Sequence, residues 1–383
     1  MSEPQLTPVL QTLADLIQIN SVNPNYGGGV PEAAVADYVE RFFVDRDISV
    51  RRQSVLPQRD NVIACLAGAN SDRRIILEAH MDTVSVAGMT IDPFDPVVRD
   101  GRMFGRGSCD TKAGMAAMMH AIASVAESGI QPACDVWFAA TVDEEYSYRG
   151  VAKLCEDLDA EAAIVAEPTN LAAVVASKGL VRWKIETIGK AAHSSKPHLG
   201  NNAIEQMAHV IQTIRNDNHA IANRPHPMLG PATCSIGVIR GGTQINLVPA
   251  CCEIELDRRM LPGETVEGVL NHYQTLMDRL SDEHRGIQIV MHEPMLTDFP
   301  LETQVDCVAV ETMLKILRDL QLDAQPIGVP FGSDASKFGA IGIPSMILGP
   351  GSIDQAHTVD ESIECAQVPK AMDIYRRFIS EYS

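Results

Sequence analysis

The stretch VWFAATVDEE, residues 136–145, is seven strand-like apolar or small residues ending on three consecutive acids, Asp143, Glu144 and Glu145. Three carboxylates at the end of a buried run carry a desolvation cost unless a cation or water receives them. Working outward, the same construction recurs. IILEA precedes His80, AAIVA precedes Glu167, and SMILG lies upstream of His357. In a doubly wound parallel sheet, ligands bind outside the carboxyl ends of the strands, so residues remote in sequence converge there. Histidine with carboxylate at such a place suits divalent zinc, cobalt or manganese.

Strand-like runs alternate with helix-like ones over residues 1–177, which indicates an α/β unit with a mainly parallel sheet. Leu6, Leu10, Leu13, Leu16 and Ile17 recur at helical spacing. Pro31 suits the first turn of a second helix carrying Val35, Val39, Phe42 and Phe43. Asp110 stands where an N-cap belongs, before the alanine- and methionine-rich TKAGMAAMMHAIASVAE. From about Lys178 the texture changes. VRWKIETIG, CSIGVIRGG, CCEIELDRRM and GIQIVMHEP are strand-like, with amphipathic helices between them. That order fits an α+β insert over 178–293 with a four-stranded antiparallel sheet and helices on one face. The reading is an α/β domain, residues 1–177 and 294–383, interrupted by that smaller domain.

With 383 residues and a net charge of −19, the chain has no surplus of cations to displace the counterions of nucleic acid. No apolar run reaches the roughly 20 residues of a membrane span, and MSEPQLTP lacks the pattern of a secretory leader. Nine cysteines without zinc-finger spacing are expected to be reduced thiols in a cytoplasmic protein.

Each motif has an ordinary explanation by itself. His80-x-Asp82 could be a surface turn, Asp110 a helix cap, Glu144-Glu145 a solvated acidic turn, and His193 and His357 incidental loop histidines. Together they are more specific. EAHMDTV, GRGSCDTKAGMAA, VDEE, AEPT, GKAAHSSKPHLGNNAI, INLVPACCEIELDRR and LGPGSIDQAHTVDE resemble, in order, the co-catalytic zinc amidohydrolases of the acetylornithine deacetylase and succinyl-diaminopimelate desuccinylase family, which also includes peptidases.

The resemblance implies two divalent metal ions per subunit, zinc foremost with cobalt or manganese as alternatives. Asp110 would bridge them, with His80 and Glu167 completing one site and Glu145 and His357 the other. Glu144 would be the general base and Asp82 the partner of His80. A cis peptide is implied after Asp110. His193 would reach the active site of the other subunit of a homodimer formed through residues 178–293. Arg259, in Asp257-Arg258-Arg259, would hold the substrate carboxylate, with Arg258 out of register for that role. Asn246 and the Gly332-Ser333 turn would line the pocket. The expected reaction removes an N-acyl group from an amino acid, N-acetyl-L-ornithine first. N-succinyl-diaminopimelate or a di- or tripeptide are alternatives, since GSDAS at 332–336 departs from the acetylornithine deacetylase turn.

Overall fold

A computed structural model describes residues 6–284 and 286–383. The chain divides into two compact units. One runs up to Val175 and includes Thr303–Ile327 and Ser333–Ser383; the other is Ala176–Glu302 with Gly328–Gly332.

The first unit is built on a sheet whose centre is parallel. The strands Cys134–Thr141, Asn70–His80, Ala162–Val165 and Ser345–Ile347 lie side by side in that order, every neighbour parallel. Arg59–Leu66 and then Ser49–Leu56 extend it antiparallel on the Cys134–Thr141 side. All four residues of Ala162–Val165 are buried, as expected of a parallel strand covered on both faces. The helix Lys112–Ser128 is buried along most of its length, and its alanines and methionines pack against the helices Pro8–Gln18 and Gln367–Glu381. The small alanine side chains let these helices approach closely, and methionine fills the irregular gaps.

Both early helices form. Pro8–Gln18 starts on a proline and buries Leu10, Leu13, Leu16 and Ile17. Ala33–Val44 buries Val35, Val39, Phe42 and Phe43. The expected cap differs. The helix begins at Lys112 with Thr111 in the N-cap place. The Asp110 carboxylate is turned away from the helix toward two imidazoles.

The second unit has an antiparallel sheet in the order Thr233–Gly241, Cys251–Met260, Gly179–Ile188, with the fourth place shared by Gln288–Met291 and then Leu296–Asp298. Every second residue of Cys251–Met260 is buried, the period-two signature of a one-sided sheet. Two helices, Ala203–Ile221 and Val266–Glu283, pack on that buried side, where Trp183 and Tyr273 lie 5.0 Å apart. Each has a side-chain cap. Asn202 accepts from the Ile204 and Glu205 amides, and the Thr265 hydroxyl accepts from that of Gly268. The unit runs on to Glu302, beyond the residue-293 limit read from the sequence. The reason is that Leu296–Asp298 pairs with Arg182, Val181 and Leu180 and so belongs to this sheet.

All nine cysteines are free. No helix among the described residues is long and apolar enough to cross a membrane.

Candidate metal centre

His80 is the last residue of its strand. Its Nε2 lies 3.1 Å from Asp110 Oδ1 and 3.9 Å from Glu167 Oε1. His357, in a left-handed backbone conformation, has its Nε2 3.2 Å from Asp110 Oδ2 and 3.1 Å from Glu145 Oε1. Each oxygen of the Asp110 carboxylate therefore faces a different histidine. Two sets of ligand atoms result, His80–Asp110–Glu167 and Asp110–Glu145–His357, with the atoms of each set within 4.8 Å of one another. The first set is buried; the His357 side chain is 48% exposed, so the second opens to solvent.

Several contacts hold these groups. Thr111 Oγ1 donates to the Ala166 carbonyl at 2.6 Å, tying the Asp110 loop to the strand end that carries Glu167. Gly114 packs where a Cβ would stand 2.6 Å from that of Ala166. The peptide bond between Asp110 and Thr111 is cis. Glu361 accepts the backbone amides of Cys109 (2.9 Å) and Asp110 (3.0 Å) on Oε1, and that of Gly107 (3.1 Å) on Oε2, where Arg106 also donates at 2.6 Å. Tyr26 donates its hydroxyl to the Glu145 carbonyl at 2.8 Å.

Asp82 acts differently from the simple partner that the sequence implied. The His80 Nδ1 hydrogen bond, 2.9 Å, goes to the Asp82 backbone carbonyl. The carboxylate is 3.8 Å from Nδ1, and accepts the Glu144 amide at 3.0 Å and the Glu145 amide at 3.2 Å.

The charges are out of balance without a cation. Burial pushes Glu144 and Glu167 well above the usual carboxylate range and raises Glu145, with neighbouring acids adding to each shift. Burial opposes charge on the imidazoles, yet Asp110 and the glutamates around them push His80 well above its usual value and His357 up to about 11. Burial likewise opposes ionisation of Asp110, but His357 and His80 hold it below the ordinary range. The cluster thus gathers protons where it lacks other positive charge. Two neutral imidazoles and three carboxylates form a donor set of the kind zinc, cobalt and manganese take, and two such ions would replace those protons.

The other residues singled out in the sequence lie elsewhere in the chain. His193 is the end of the short strand Ala192–His193, exposed, with its Nδ1 2.8 Å from the Ser195 hydroxyl. Asn246 is exposed and its carbonyl accepts the Ser194 amide at 3.0 Å. Arg259 stands on the open face of its sheet, donating to Asp257 at 2.7 Å, whereas Arg258 is buried on the helix side against Glu264. His193, Asn246, Arg259 and Gly332 belong to the second unit, and Ser333 to the first, where it is fully buried. Sequence reasoning missed Glu361 and Asn23. Both stand in polar loop stretches that read as solvated turns, and only the VDE run after His357 held a clue.

The family model described as Peptidase family M20/M25/M40 matches residues 76–381. An acetylornithine deacetylase of Vibrio campbellii is 28% identical over 391 residues, covering all of both chains. A tripeptidase of Staphylococcus aureus superposes with a TM-score of 0.82 at 24% identity, covering 98% of this chain and 97% of that one. Aminopeptidase PepT of Bacillus cereus gives 0.83 at 23% identity, covering 98% of each.

Proposed function

Since the chain belongs to peptidase family M20/M25/M40 and is a hydrolase of amide bonds, we propose that it removes the N-acyl group of an amino acid by two-metal hydrolysis, with N-acetyl-L-ornithine as the leading substrate. The observation that carries this reading is the pair of ligand sets sharing Asp110, with Glu144 next to Glu145 in the chain and under the charges of His80, Glu145 and Asp110. The full-length likeness to acetylornithine deacetylases supports the choice of substrate.

His80, Asp110 and Glu167 would hold one ion, and Asp110, Glu145 and His357 the other. When bound, such a pair would supply Lewis-acid chemistry, polarising the scissile carbonyl and making water more acidic. Glu144 is the proton carrier. As the carboxylate of the turn that belongs to neither ligand set, it would take a proton from attacking water and give it to the leaving amine. Asp82, by accepting the Glu144 amide, fixes where that carboxylate starts. His193, supplied by the second subunit of a homodimer, would donate to the developing oxyanion, and Arg259 would pair with the substrate carboxylate. Asn246, Gly332 and Ser333 would complete the pocket.

The test is amine release by zinc- or cobalt-loaded protein from N-acetyl-L-ornithine, N-succinyl-LL-diaminopimelate and a set of di- and tripeptides. Preference for the acetylated amino acid supports the proposal; cleavage of peptides alone refutes it and assigns a peptidase. His193→Ala and Glu144→Ala proteins, each nearly inactive, should regain activity when mixed as hybrid dimers. Absence of recovery would remove donation across the dimer.

A further inference from the structure

Behind the Glu144–Glu145 turn lies a buried hydrogen-bonded array of which the chemistry above uses only Asp82. At its centre is Asn23, fully buried in the loop after the first helix. Its Nδ2 donates to Asp82 Oδ2 at 2.7 Å and to Asp143 Oδ1 at 3.0 Å. Its Oδ1 accepts from the Asn25 amide at 3.1 Å and from Asn25 Nδ2 at 2.9 Å, which fixes the amide so that both hydrogens face the two carboxylates. Those carboxylates are the two anchors of the turn. Asp82 holds the amides of Glu144 and Glu145. Asp143 opens the turn in a left-handed conformation, and its side chain also receives Ser147 (2.7 Å), Arg149 (2.5 Å) and Arg59 (3.0 Å). Arg59 is in turn clamped by Glu32, whose side chain is fully buried.

Asp143 is neutralised by Arg59 and Arg149, and Asp82 receives two backbone amides, but Asn23 is the side chain that donates to both carboxylates. A planar NH2 group with its two hydrogens at a fixed angle sets both the distance and the orientation of the pair. We propose that Asn23 is a positioning residue: through Asp82 and Asp143 it sets the reach of Glu144 and Glu145, and so the affinity of the Asp110–Glu145–His357 ion over its neighbour. The inference rests on the two-ion reading. It predicts an asymmetry, because the array holds the Glu145 amide and opens its turn, whereas in the other set it touches only His80, through the Asp82 backbone carbonyl, and Asp110 is held independently by Glu361.

The experiment is a titration of metal-free full-length protein with Co2+, in competition with a chelating dye, for the parent, Asn23→Ala and Asn23→Ser. The parent should bind two ions. Asn23→Ala should keep one within about threefold and bind the other 10–100-fold more weakly, the usual effect of removing a group that orients a ligand. Turnover at saturating substrate should fall while KM stays near that of the parent. Asn23→Ser, with a single donor, should lie between. A role confined to folding would lower the melting temperature without splitting the two affinities. Equal weakening of both ions, or of neither, in Asn23→Ser or Asn23→Ala would overturn the proposal. A parent that binds fewer than two ions would instead defeat the two-ion reading.

Discussion

Gly114→Ala tests how the ligand sets are spaced. An alanine Cβ at this place would stand 2.6 Å from the Ala166 Cβ and 3.3 Å from Thr111 Oγ1. Carbon atoms rest at about 3.5–4.0 Å, so the Lys112–Ser128 helix and the segment carrying Ala166 must part by roughly 1 Å. Overpacking of this kind costs about 1–3 kcal/mol. Alanine recovers about 1 kcal/mol of helix propensity over glycine. The net destabilisation is therefore small, about 0–2 kcal/mol, and the protein should fold. Function should suffer more. Asp110 lies two residues before the helix that carries Gly114, and Glu167 adjoins Ala166, so the same displacement opens the His80–Asp110–Glu167 set. Affinity of that set for Co2+ should fall about 10–100-fold, and kcat/KM on the order of 100-fold, as for other misplacements of about 1 Å. The double variant Gly114→Ala with Ala166→Gly removes the opposing methyl and should return both measurements to within about threefold of the parent. Metal titration and thermal unfolding of all three proteins decide the matter. A single variant indistinguishable from the parent, or a double variant no better than the single, would refute the spacing argument.

Glu144→Ala should keep both ions and lose about a thousandfold in kcat, within the range for general bases; a variant within tenfold of the parent would remove that role. Chelation should lower the melting temperature, and Zn2+ or Co2+ should restore it, since ions at a thousandfold excess over their Kd add about 4 kcal/mol of stability each; unchanged melting would argue that the clustered acids need no cation. His120 gives a pH dependence. Burial, with Arg46 alongside, pushes its imidazole down to about 4, and it is hydrogen-bonded to Thr12 Oγ1 at 2.8 Å. Below pH 6.5 the unfolded chain takes up this proton and the fold does not. Stability should therefore fall between pH 6.5 and 4, by at most about 3 kcal/mol. His120→Gln should flatten that part of the slope in urea unfolding at pH 4, 5.5 and 7; an unchanged slope would assign it to other groups.

The parallel centre of the sheet was legible because its strands are short apolar runs with polar ends. The antiparallel insert was legible because Cys251–Met260 alternates cleanly. Seven of the eight residues singled out in the first unit, His80, Asp82, Asp110, Glu144, Glu145, Glu167 and His357, lie together. What could not be read were the groups acting through partners far along the chain. Asn23 lies in an Asn-Pro-Asn run that reads as a turn, and its importance comes from Asp82 and Asp143, 59 and 120 residues on. Glu361 looks like one more surface acid until its three backbone donors are seen. The end of the insert was misplaced for a related reason: Leu296–Asp298 is too short to show alternation, and only its pairing with Gly179–Ile188 assigns it.

The two ligand sets are unequal in how much of the chain they need. His80, Asp110 and Glu167 come from the first 167 residues, whereas the second set waits for His357. The clamp on the Asp110 loop comes later still, from Glu361. The first set thus needs only the N-terminal part of the chain for its ligands, while its Asp110 loop still depends on Glu361 for its backbone contacts. The strand Ser345–Ile347, which flanks Ala162–Val165, arrives in between. The second set is therefore complete only when the C-terminal part of the first unit has joined the part that carries Asp110 and Glu145.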